Sequence, residues 1–452
     1  MEMSWSKLLS TKRLCASDYP SEPTIQIHPF DEDQDVIIFS QPFRRLQAKT
    51  QVHPLSDNDH VRTRLTHSLE VGMVGYVLGY KVSESLHGET KCSPFAVGSL
   101  VRAACLAHDI GNPPFGHAGE EAIKNWAGRI LNDADRLGIK GKLTAQEQRD
   151  FASFDGNAQG FRVCTQTENY RWNGGLRLTN ACLGSFMKYP WSSAANCAQN
   201  GKFGFFRSEL CYAEQVARGL GLLQVENDRW SRHPLAWLVE AADDICYRFI
   251  DLEDGIEMGS FTFGDYEKLF GPVVDRERHW REGYDQVCRM NDNSLKTSYI
   301  RSKVITTLVD QTIAIFVENH KSILEGKFEG ELLKHIRDSS LVAEAKKMAE
   351  EHVFKHPKKL YLEVAAYEII GGLLDAFGGA CFVTPREDST KHAHLRTLMG
   401  ACVPDEQVSI YERLRRVVDF VSGMTDRYAL GMYRQIRGIT TGSMTPAPLT
   451  PQ

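Results

Sequence analysis

The 452-residue sequence has little that would direct it across or into a membrane. No apolar run approaches the ~18 residues that a membrane-crossing helix requires, so we expect no membrane span. The first residues, MEMSWSKLLSTKRL, contain neither a long apolar stretch nor a small-residue cleavage site. They therefore lack the pattern of a secretory signal, and we expect a cytoplasmic protein.

Paired cysteines and an excess of positive charge are also missing. Eleven cysteines are scattered without a CxxC pair, which fits neither a disulfide framework nor a thiolate zinc site. The net charge is −5 (53 Lys and Arg against 58 Asp and Glu), which excludes coating of nucleic acid by bulk positive charge but leaves a local basic patch open. The apolar share of 42% excludes a disordered chain.

Helical periodicity is what the sequence has in abundance, from Phe43 almost to the end. It predicts a large all-α protein with at most a small β-hairpin or loop, at 201–210. Helices are expected at 64–87, 97–108, 118–131, 143–151, 234–252, 264–271, 299–324, 329–352, 359–376 and 405–435. Neither a GxGxxG motif nor a P-loop occurs.

The domain organisation follows from composition, because no clear linker divides the chain. We expect an N-terminal arm at 1–40, one elaborated domain at 41–437 and a flexible tail at 438–452. Proline and acidic residues predict an extended arm or loop at 15–35. A looser stretch rich in Gly, Asn and Ser predicts an insertion at about 132–233.

The most informative segment is CLAHDIGNPPFGHAGEEAI, residues 105–123. His108 and Asp109 end an apolar helix, which brings an imidazole and a carboxylate to one point, and both are ligands for divalent cations. The alternative is a buried histidine that only bonds to a cap. Glu120 follows His117 at i+3 on the same helix face, and a carboxylate there would raise the basicity of the imidazole for proton transfer. Alternatively, Glu120 only complements the helix N-terminus.

A second histidine lies upstream in HVRTRLTHSLEVGMVG, residues 60–75. Arg64 and His67 are neighbours on one helix, beside an apolar stripe. A metal for His67 and a phosphate for Arg64 would satisfy both side chains. The alternative is a surface ion pair between Arg64 and Glu70 or Asp59.

A polar row lies downstream on the helix predicted at 234–252. Asp243, Tyr247 and Asp251 recur at intervals of four, flanked by apolar residues, which suggests a liganded groove rather than the common alternative of a solvated acidic face. Two imidazoles and two carboxylates then form one predicted metal site: His67, His108, Asp109 and Asp243. This set suits Mn²⁺, Mg²⁺, Fe²⁺ or Co²⁺, with Zn²⁺ also open.

Taken together, these motifs resemble the HD-superfamily deoxynucleoside triphosphate triphosphohydrolases, and most of all the bacterial deoxyguanosinetriphosphate triphosphohydrolases. Besides HDIGNPPFGHAGE and EAADDICY, the resemblance covers FRRLQAKTQV (43–52), TRLTHSLEV (63–71) and SGMTDRYAL (422–430). It implies an HD-domain helical core with additional helices. It also implies metal-dependent hydrolysis of a dNTP, dGTP favoured, to deoxynucleoside and inorganic tripolyphosphate by water attack at the α-phosphorus.

The same resemblance assigns roles to individual residues. The metal ligands fall on the four residues of the predicted metal site, with Mn²⁺ or Mg²⁺ the favoured ion. His117 and Glu120 fall on the catalytic pair, and whether His117 activates water or protonates the leaving group stays open. Arg64 falls on a phosphate contact.

Substrate contacts are assigned in the same way. Gln51 falls on the position that touches the deoxyribose 3′-hydroxyl and guards against a 2′-hydroxyl, Tyr247 on a ring against the sugar, and Asp251 on a carboxylate at the 3′-hydroxyl. Six C-terminal arginines are further candidates for triphosphate or base contacts: Arg413, Arg415, Arg416, Arg427, Arg434 and Arg437.

The sequence also leads to expectations about binding partners and leaves two alternative functions open. The resemblance implies a homo-oligomer, tetrameric or hexameric, and single-stranded DNA stays open as a regulator in an oligomer groove. One rival is an HD phosphohydrolase that acts on another nucleotide. The other is a nucleotide-sensing or single-stranded-DNA-binding module whose metal site no longer supports catalysis.

Overall fold

The computed structural model is almost entirely helical. It describes residues 2–15, 27–51, 61–86, 88–133, 139–168, 173–355, 357–382 and 389–440. Within these ranges the chain forms twenty-one α-helices, and its β structure is one pair of short strands. The prediction of an all-α fold is therefore confirmed.

The helices are numbered here in chain order. Their bounds are α1 Trp5–Leu8, α2 Pro29–Phe39, α3 Gln41–Arg45, α4 Arg64–Ser85, α5 Pro94–Ala107, α6 His117–Asn132, α7 Ala145–Ala152, α8 Gly156–Arg162, α9 Asn180–Phe186, α10 Leu210–Leu220, α11 Ala236–Glu257, α12 Phe263–Val274, α13 Arg278–Cys288, α14 Asn293–Glu318, α15 His320–Leu324, α16 Leu332–His335, α17 Ser339–Met348, α18 Pro357–Phe382, α19 Thr390–Met399, α20 Ile410–Ser422 and α21 Asp426–Ile436.

The strands do not lie where the sequence predicted a hairpin or loop. In the described ranges, β1 (Gln224–Glu226) pairs antiparallel with β2 (Arg229–Trp230). Residues 201–210 form no strand and instead lead through a 3₁₀ turn at Arg207–Glu209 into α10. Three phenylalanines of this segment are fully buried: Phe203, Phe205 and Phe206.

Several predicted boundaries are wrong: the helices expected at 299–324 and 329–352 are each divided, into α14 and α15 and into α16 and α17. Two further differences have local reasons. The segment 15–35, expected to be an extended arm or loop, contains the start of α2, because Pro29 occupies its first turn and the His28 side chain accepts the Phe30 N–H. The helix expected at 405–435 is two helices, since the Thr425 hydroxyl caps a new start at α21. The remainder of the predicted arm, 16–26, and the tail from 441 lie outside the described residues.

Close packing of α4, α5 and α11 brings the predicted metal ligands together. α4 and α5 lie side by side, and a Cβ added at Gly79 would come within 2.9 Å of the Val97 carbonyl oxygen. α11 packs against both helices. The first turns of α4, the end of α5 and the second turn of α11 therefore meet beside one hydrophobic core.

A second hydrophobic core lies between α6, α18, α20 and α21. Within it, α18 from Lys359 to Phe382 is long and apolar enough to cross a membrane, so the expectation that no stretch reaches this length is wrong. Slightly more than half of its apolar window is buried inside the protein. The core helix of a globular protein passes the same test, so this helix does not by itself indicate a membrane span.

Candidate metal centre and active-site cavity

The two histidines and two aspartates predicted as metal ligands come together where α4, α5 and α11 meet. His67 Nε2 lies 3.1 Å from Asp243 Oδ1, and His108 Nε2 lies 3.6 Å from the same oxygen. Asp109 Oδ1 lies 3.5 Å from His108 Nε2. Ligand atoms of His67, His108 and Asp109 all lie within 4.8 Å of one another, a spacing that one ion can bridge.

At His108, hydrogen bonding leaves the ring nitrogen that faces the cluster available to a cation. His108 Nδ1 donates to the Cys105 carbonyl at 2.6 Å, while its buried Nε2 has no hydrogen-bond partner among the described residues. A carbonyl that accepts the hydrogen of the other ring nitrogen fixes the tautomer of a metal-binding imidazole. Two nitrogens and two carboxylates form a donor set for a divalent ion, so the residues fit a metal.

Electrostatics keep both carboxylates ionised. Burial raises the pKa of the Asp243 carboxyl, but His108 and His67 outweigh it and hold that pKa well below its usual range. Burial is likewise outweighed at Asp109, whose pKa is lowered chiefly by Arg64. Both groups are therefore ready to bind a cation at neutral pH.

Arg64 is an ion-pair partner of the cluster rather than of a surface acid. Its Nη1 donates to Asp109 Oδ2 at 2.7 Å, and the residue is buried. The surface alternative with Glu70 is wrong, because Arg62 makes that contact at 3.2 Å; Asp59 lies outside the described residues. Arg64 thus neutralises one carboxylate and still faces the cavity.

A cavity of about 290 Å³ opens beside the cluster, which is near the lower end for small-molecule sites. Eight of the ten predicted site residues line it: Gln51, Arg64, His108, Asp109, His117, Glu120, Asp243 and Tyr247. His67 lies behind Asp243 and is buried. Asp251 is also fully buried and is not among the described lining residues.

Asp251 is the predicted residue whose surroundings are least expected. Neither carboxylate oxygen has a hydrogen-bond partner among the described residues. Burial raises the pKa of this carboxyl well above its usual range, which favours the neutral acid. Its predicted contact with a sugar hydroxyl therefore stays a prediction.

His117 and Glu120 form a hydrogen-bonded pair at the rim of the cavity. His117 Nδ1 lies 3.0 Å from Glu120 Oε2, and Glu120 Oε1 accepts the Gly156 N–H at 2.7 Å. The Glu120 hydrogen bond raises the pKa of His117, and burial opposes it without cancelling it. The His117 side chain is 75% exposed, so it can exchange protons with water, while buried Glu120 fixes its orientation.

Three lysines that the sequence analysis missed also line the cavity. Each is held by an acid: Lys188 by Glu240 at 3.2 Å, Lys202 by Asp155 at 3.2 Å, and Lys359 by Glu363 at 3.6 Å. No local pattern marks them, because tertiary packing alone brings them to the metal cluster. None of the six C-terminal arginines is among the described lining residues.

Comparisons with known proteins agree with this geometry. The HD domain profile matches residues 64–147, which contain three of the four clustered ligands. A phosphohydrolase-associated domain profile matches residues 339–435, which run from α17 into α21.

Relatives that match over more than nine tenths of the chain are named either deoxyguanosinetriphosphate triphosphohydrolase or deoxyguanosinetriphosphate triphosphohydrolase-like protein. A deoxyguanosinetriphosphate triphosphohydrolase-like protein of Pseudomonas aeruginosa is 42% identical over 98% of this chain and 100% of its own. One of Synechocystis sp. is 37% identical over 97% and 100%. A deoxyguanosinetriphosphate triphosphohydrolase of Klebsiella pneumoniae is 31% identical over 91% and 94%. The chain is therefore a hydrolase that belongs to the deoxyguanosinetriphosphate triphosphohydrolase family of HD-domain proteins.

Proposed function

We propose that this enzyme hydrolyses deoxynucleoside triphosphates, dGTP first among them, to deoxynucleoside and intact tripolyphosphate. The observation that carries the proposal is that three of the four clustered ligands line the same cavity as the His117–Glu120 pair. The relatives named for dGTP hydrolysis support the choice of substrate.

A divalent cation, Mn²⁺ or Mg²⁺ in our proposal, would be held by His67, His108, Asp109 and Asp243. Co²⁺, Fe²⁺ and Zn²⁺ fit the same donor types. When bound, the cation would supply Lewis-acid chemistry that neutralises charge on the α-phosphate. Arg64, paired with Asp109 at 2.7 Å, would place a guanidinium beside the same phosphate.

The reaction itself exchanges one P–O bond for another. Water forms a bond to the α-phosphorus, the bond from phosphorus to the 5′-oxygen breaks, and the 5′-oxygen leaves protonated as the deoxynucleoside hydroxyl. His117, oriented by Glu120, would either accept the proton of the water or deliver one to the leaving oxygen. The released tripolyphosphate keeps all three phosphoryl groups.

The three lysines of the cavity wall suit the β- and γ-phosphates. Lys188, Lys202 and Lys359 line the cavity together, and each pairs with an acid at 3.6 Å or less. Ordered cations of this kind stabilise phosphate charge at little reorganisation cost. We therefore assign the triphosphate contacts to these lysines in place of the C-terminal arginines.

Selection of deoxyribose would depend on Gln51 and Tyr247, which both line the cavity. The buried Gln51 Oε1 has no hydrogen-bond partner among the described residues, so it is available to a sugar hydroxyl. A ribose 2′-hydroxyl that finds no hydrogen-bond partner at this wall would be rejected by about 10²-fold, the scale for one added hydroxyl in a site that offers it no hydrogen bond. A contact from Asp251 to the 3′-hydroxyl stays part of the proposal, and it would require the sugar to reach a buried carboxylate that is not among the described lining residues.

We further propose a cytoplasmic homo-oligomer, tetrameric or hexameric. Support comes from apolar side chains exposed along α4, namely Leu69, Met73 and Val77. Light scattering after size exclusion tests this, and a monomer at micromolar concentration would contradict it. Binding of single-stranded DNA as a regulator would be measured on the same assembly.

The direct test is a panel of the four dNTPs and GTP with Mn²⁺ and with Mg²⁺, analysed by ion chromatography. We expect tripolyphosphate from dGTP and little turnover of GTP. Phosphate or pyrophosphate as the product would favour an HD phosphohydrolase with a different bond preference. No turnover, combined with tight, salt-dependent DNA binding, would favour the binding module.

A further inference from the structure

Asp426, the first residue of α21, bridges two segments of the cavity wall that are far apart in sequence. Its Oδ2 accepts the Thr50 N–H at 3.0 Å, and its Oδ1 accepts the Phe115 N–H at 2.9 Å. The residue is 1% exposed, so water does not compete for these bonds. The two donors stand one residue before Gln51 and two residues before His117.

The segment that carries His117 needs such a restraint. Phe115 has φ +63° and Gly116 has φ +57°, so two successive residues adopt the left-handed region. A non-glycine residue there is strained and persists only where its surroundings impose the conformation. Arg64 closes the other side of the turn, since a Cβ on Gly116 would lie 2.5 Å from its Nη2.

Lys49 makes a second tie between the same parts of the chain. Its buried Nζ donates to the Asn112 carbonyl at 2.5 Å and to the Ser422 carbonyl at 3.0 Å. The end of α20 and the start of α21 are therefore fastened to both wall segments by buried hydrogen bonds. A carboxylate that accepts two backbone N–H groups is a stronger tie than any neutral side chain of its size.

We infer that Asp426 is a positioning residue, which holds the Gln51 and His117 segments in register across the cavity. The inference rests on the proposed function for the roles of Gln51 and His117. Asp426 forms no described hydrogen bond or ion pair with the four metal ligands. Its loss is therefore expected to disturb sugar selection and proton transfer together while the metal site is retained.

The test compares Asp426→Asn and Asp426→Ala with Asp150→Asn. Asp150 is an equally buried carboxylate that accepts from Ser193, Tyr411 and the Arg207 N–H, and it does not line the cavity. It controls for the general loss of a buried carboxylate. Asparagine at 426 keeps one acceptor but presents an amide N–H to the second donor.

Three readouts distinguish positioning from stability. For Asp426→Asn we expect kcat for dGTP to fall about tenfold or more, since small misplacements of catalytic groups are costly. The ratio of kcat/KM for dGTP over GTP should fall as well, while Mn²⁺ affinity stays at the wild-type value. Asp150→Asn should keep both kcat and the ratio.

Hydrogen exchange separates this inference from the proposed function, because it needs no turnover. In Asp426→Ala, amide exchange at Thr50 and Phe115 should accelerate about tenfold or more, with no such change in Asp150→Asn. Unchanged exchange would overturn the inference even if dGTP is hydrolysed. Accelerated exchange in an enzyme that does not act on dNTPs would uphold the tie and refute the substrate. Equal kinetic losses in the Asp426 and Asp150 variants would also overturn it.

Discussion

The buried ligand cluster and the exposed catalytic pair face one cavity, yet they are built in opposite ways. His67 is 1% exposed and is fixed by the packing of α4, α5 and α11. The His117 side chain is 75% exposed and depends on one buried acid, Glu120, for its orientation. A metal site must be preformed and shielded, whereas a group that moves protons must reach water.

A substitution in the buried ligand cluster should have the largest effect, on both turnover and stability. Asp109→Ala removes a ligand and leaves Arg64 buried without its 2.7 Å partner. We expect turnover to fall by roughly 10⁴-fold, as for loss of a central catalytic group. Stability should fall by about 3 kcal/mol, the scale of an uncompensated buried charge.

Calorimetric titration with Mn²⁺ and urea denaturation measure both effects of Asp109→Ala. Asp109→Asn is the matched control, because it keeps the side-chain volume and an oxygen for Arg64. It should lose metal affinity with a smaller loss of stability. Full Mn²⁺ affinity in both variants would remove Asp109 from the metal site.

A substitution in the exposed catalytic pair should lower kcat with little loss of stability. His117→Ala should lower kcat by ~10²–10⁴, the range for a general acid or base. Metal and nucleotide affinity should be retained, and the free energy of unfolding should fall by about 1 kcal/mol, because buried Glu120 loses one of its two hydrogen-bond partners. His394→Ala, at an exposed histidine of α19, is the control; an unchanged kcat in His117→Ala would exclude His117 from the mechanism.

Substitution of a cavity lysine should have a smaller effect, and it should change KM rather than kcat. Lys188→Met removes one charge-assisted contact to phosphate, so KM for dGTP should rise about tenfold with kcat nearly constant. Lys124→Met is the control, since Lys124 pairs with Glu121 at 2.8 Å and does not line the cavity. A fall in kcat at constant KM would mean that Lys188 acts in the transition state instead.

The smallest expected effect is a shift along the pH axis. The Glu120 hydrogen bond raises the pKa of His117, so Glu120→Gln should lower it. If His117 acts as a base, activity rises with pH as it loses its proton, and this acidic limb should move to lower pH. If His117 acts as an acid, the basic limb should move down instead. A pH profile of kcat that does not move would contradict the coupling of the pair.

The difference between the regions also explains what the sequence could predict. His108 and Asp109 are adjacent, and Glu120 follows His117 by one helical turn, so local spacing was enough to single them out. Lys188 and Lys359 come from segments without a motif and reach the cavity only through tertiary packing. Asp426 lies in a segment noted for its resemblance, but its function as a tie depends on donors more than 300 residues away.

Helices with an apolar stripe of several turns were predicted correctly, whereas helix starts that depend on a local cap were not. The core helices α4, α5 and α11 were placed within a few residues, because their apolar stripes run for several turns. α2 was missed because its start depends on a local cap by His28 rather than on a stripe. The break between α20 and α21 likewise depends on a cap, at Thr425.

The most direct test of the central claim is to identify the atom that water attacks. Hydrolysis of dGTP in ¹⁸O-labelled water, followed by mass spectrometry of both products, reports where the new oxygen goes. Attack at the α-phosphorus, between the metal cluster and His117, predicts ¹⁸O in tripolyphosphate and none in deoxyguanosine. Label in deoxyguanosine, or in released phosphate or pyrophosphate, would contradict the account.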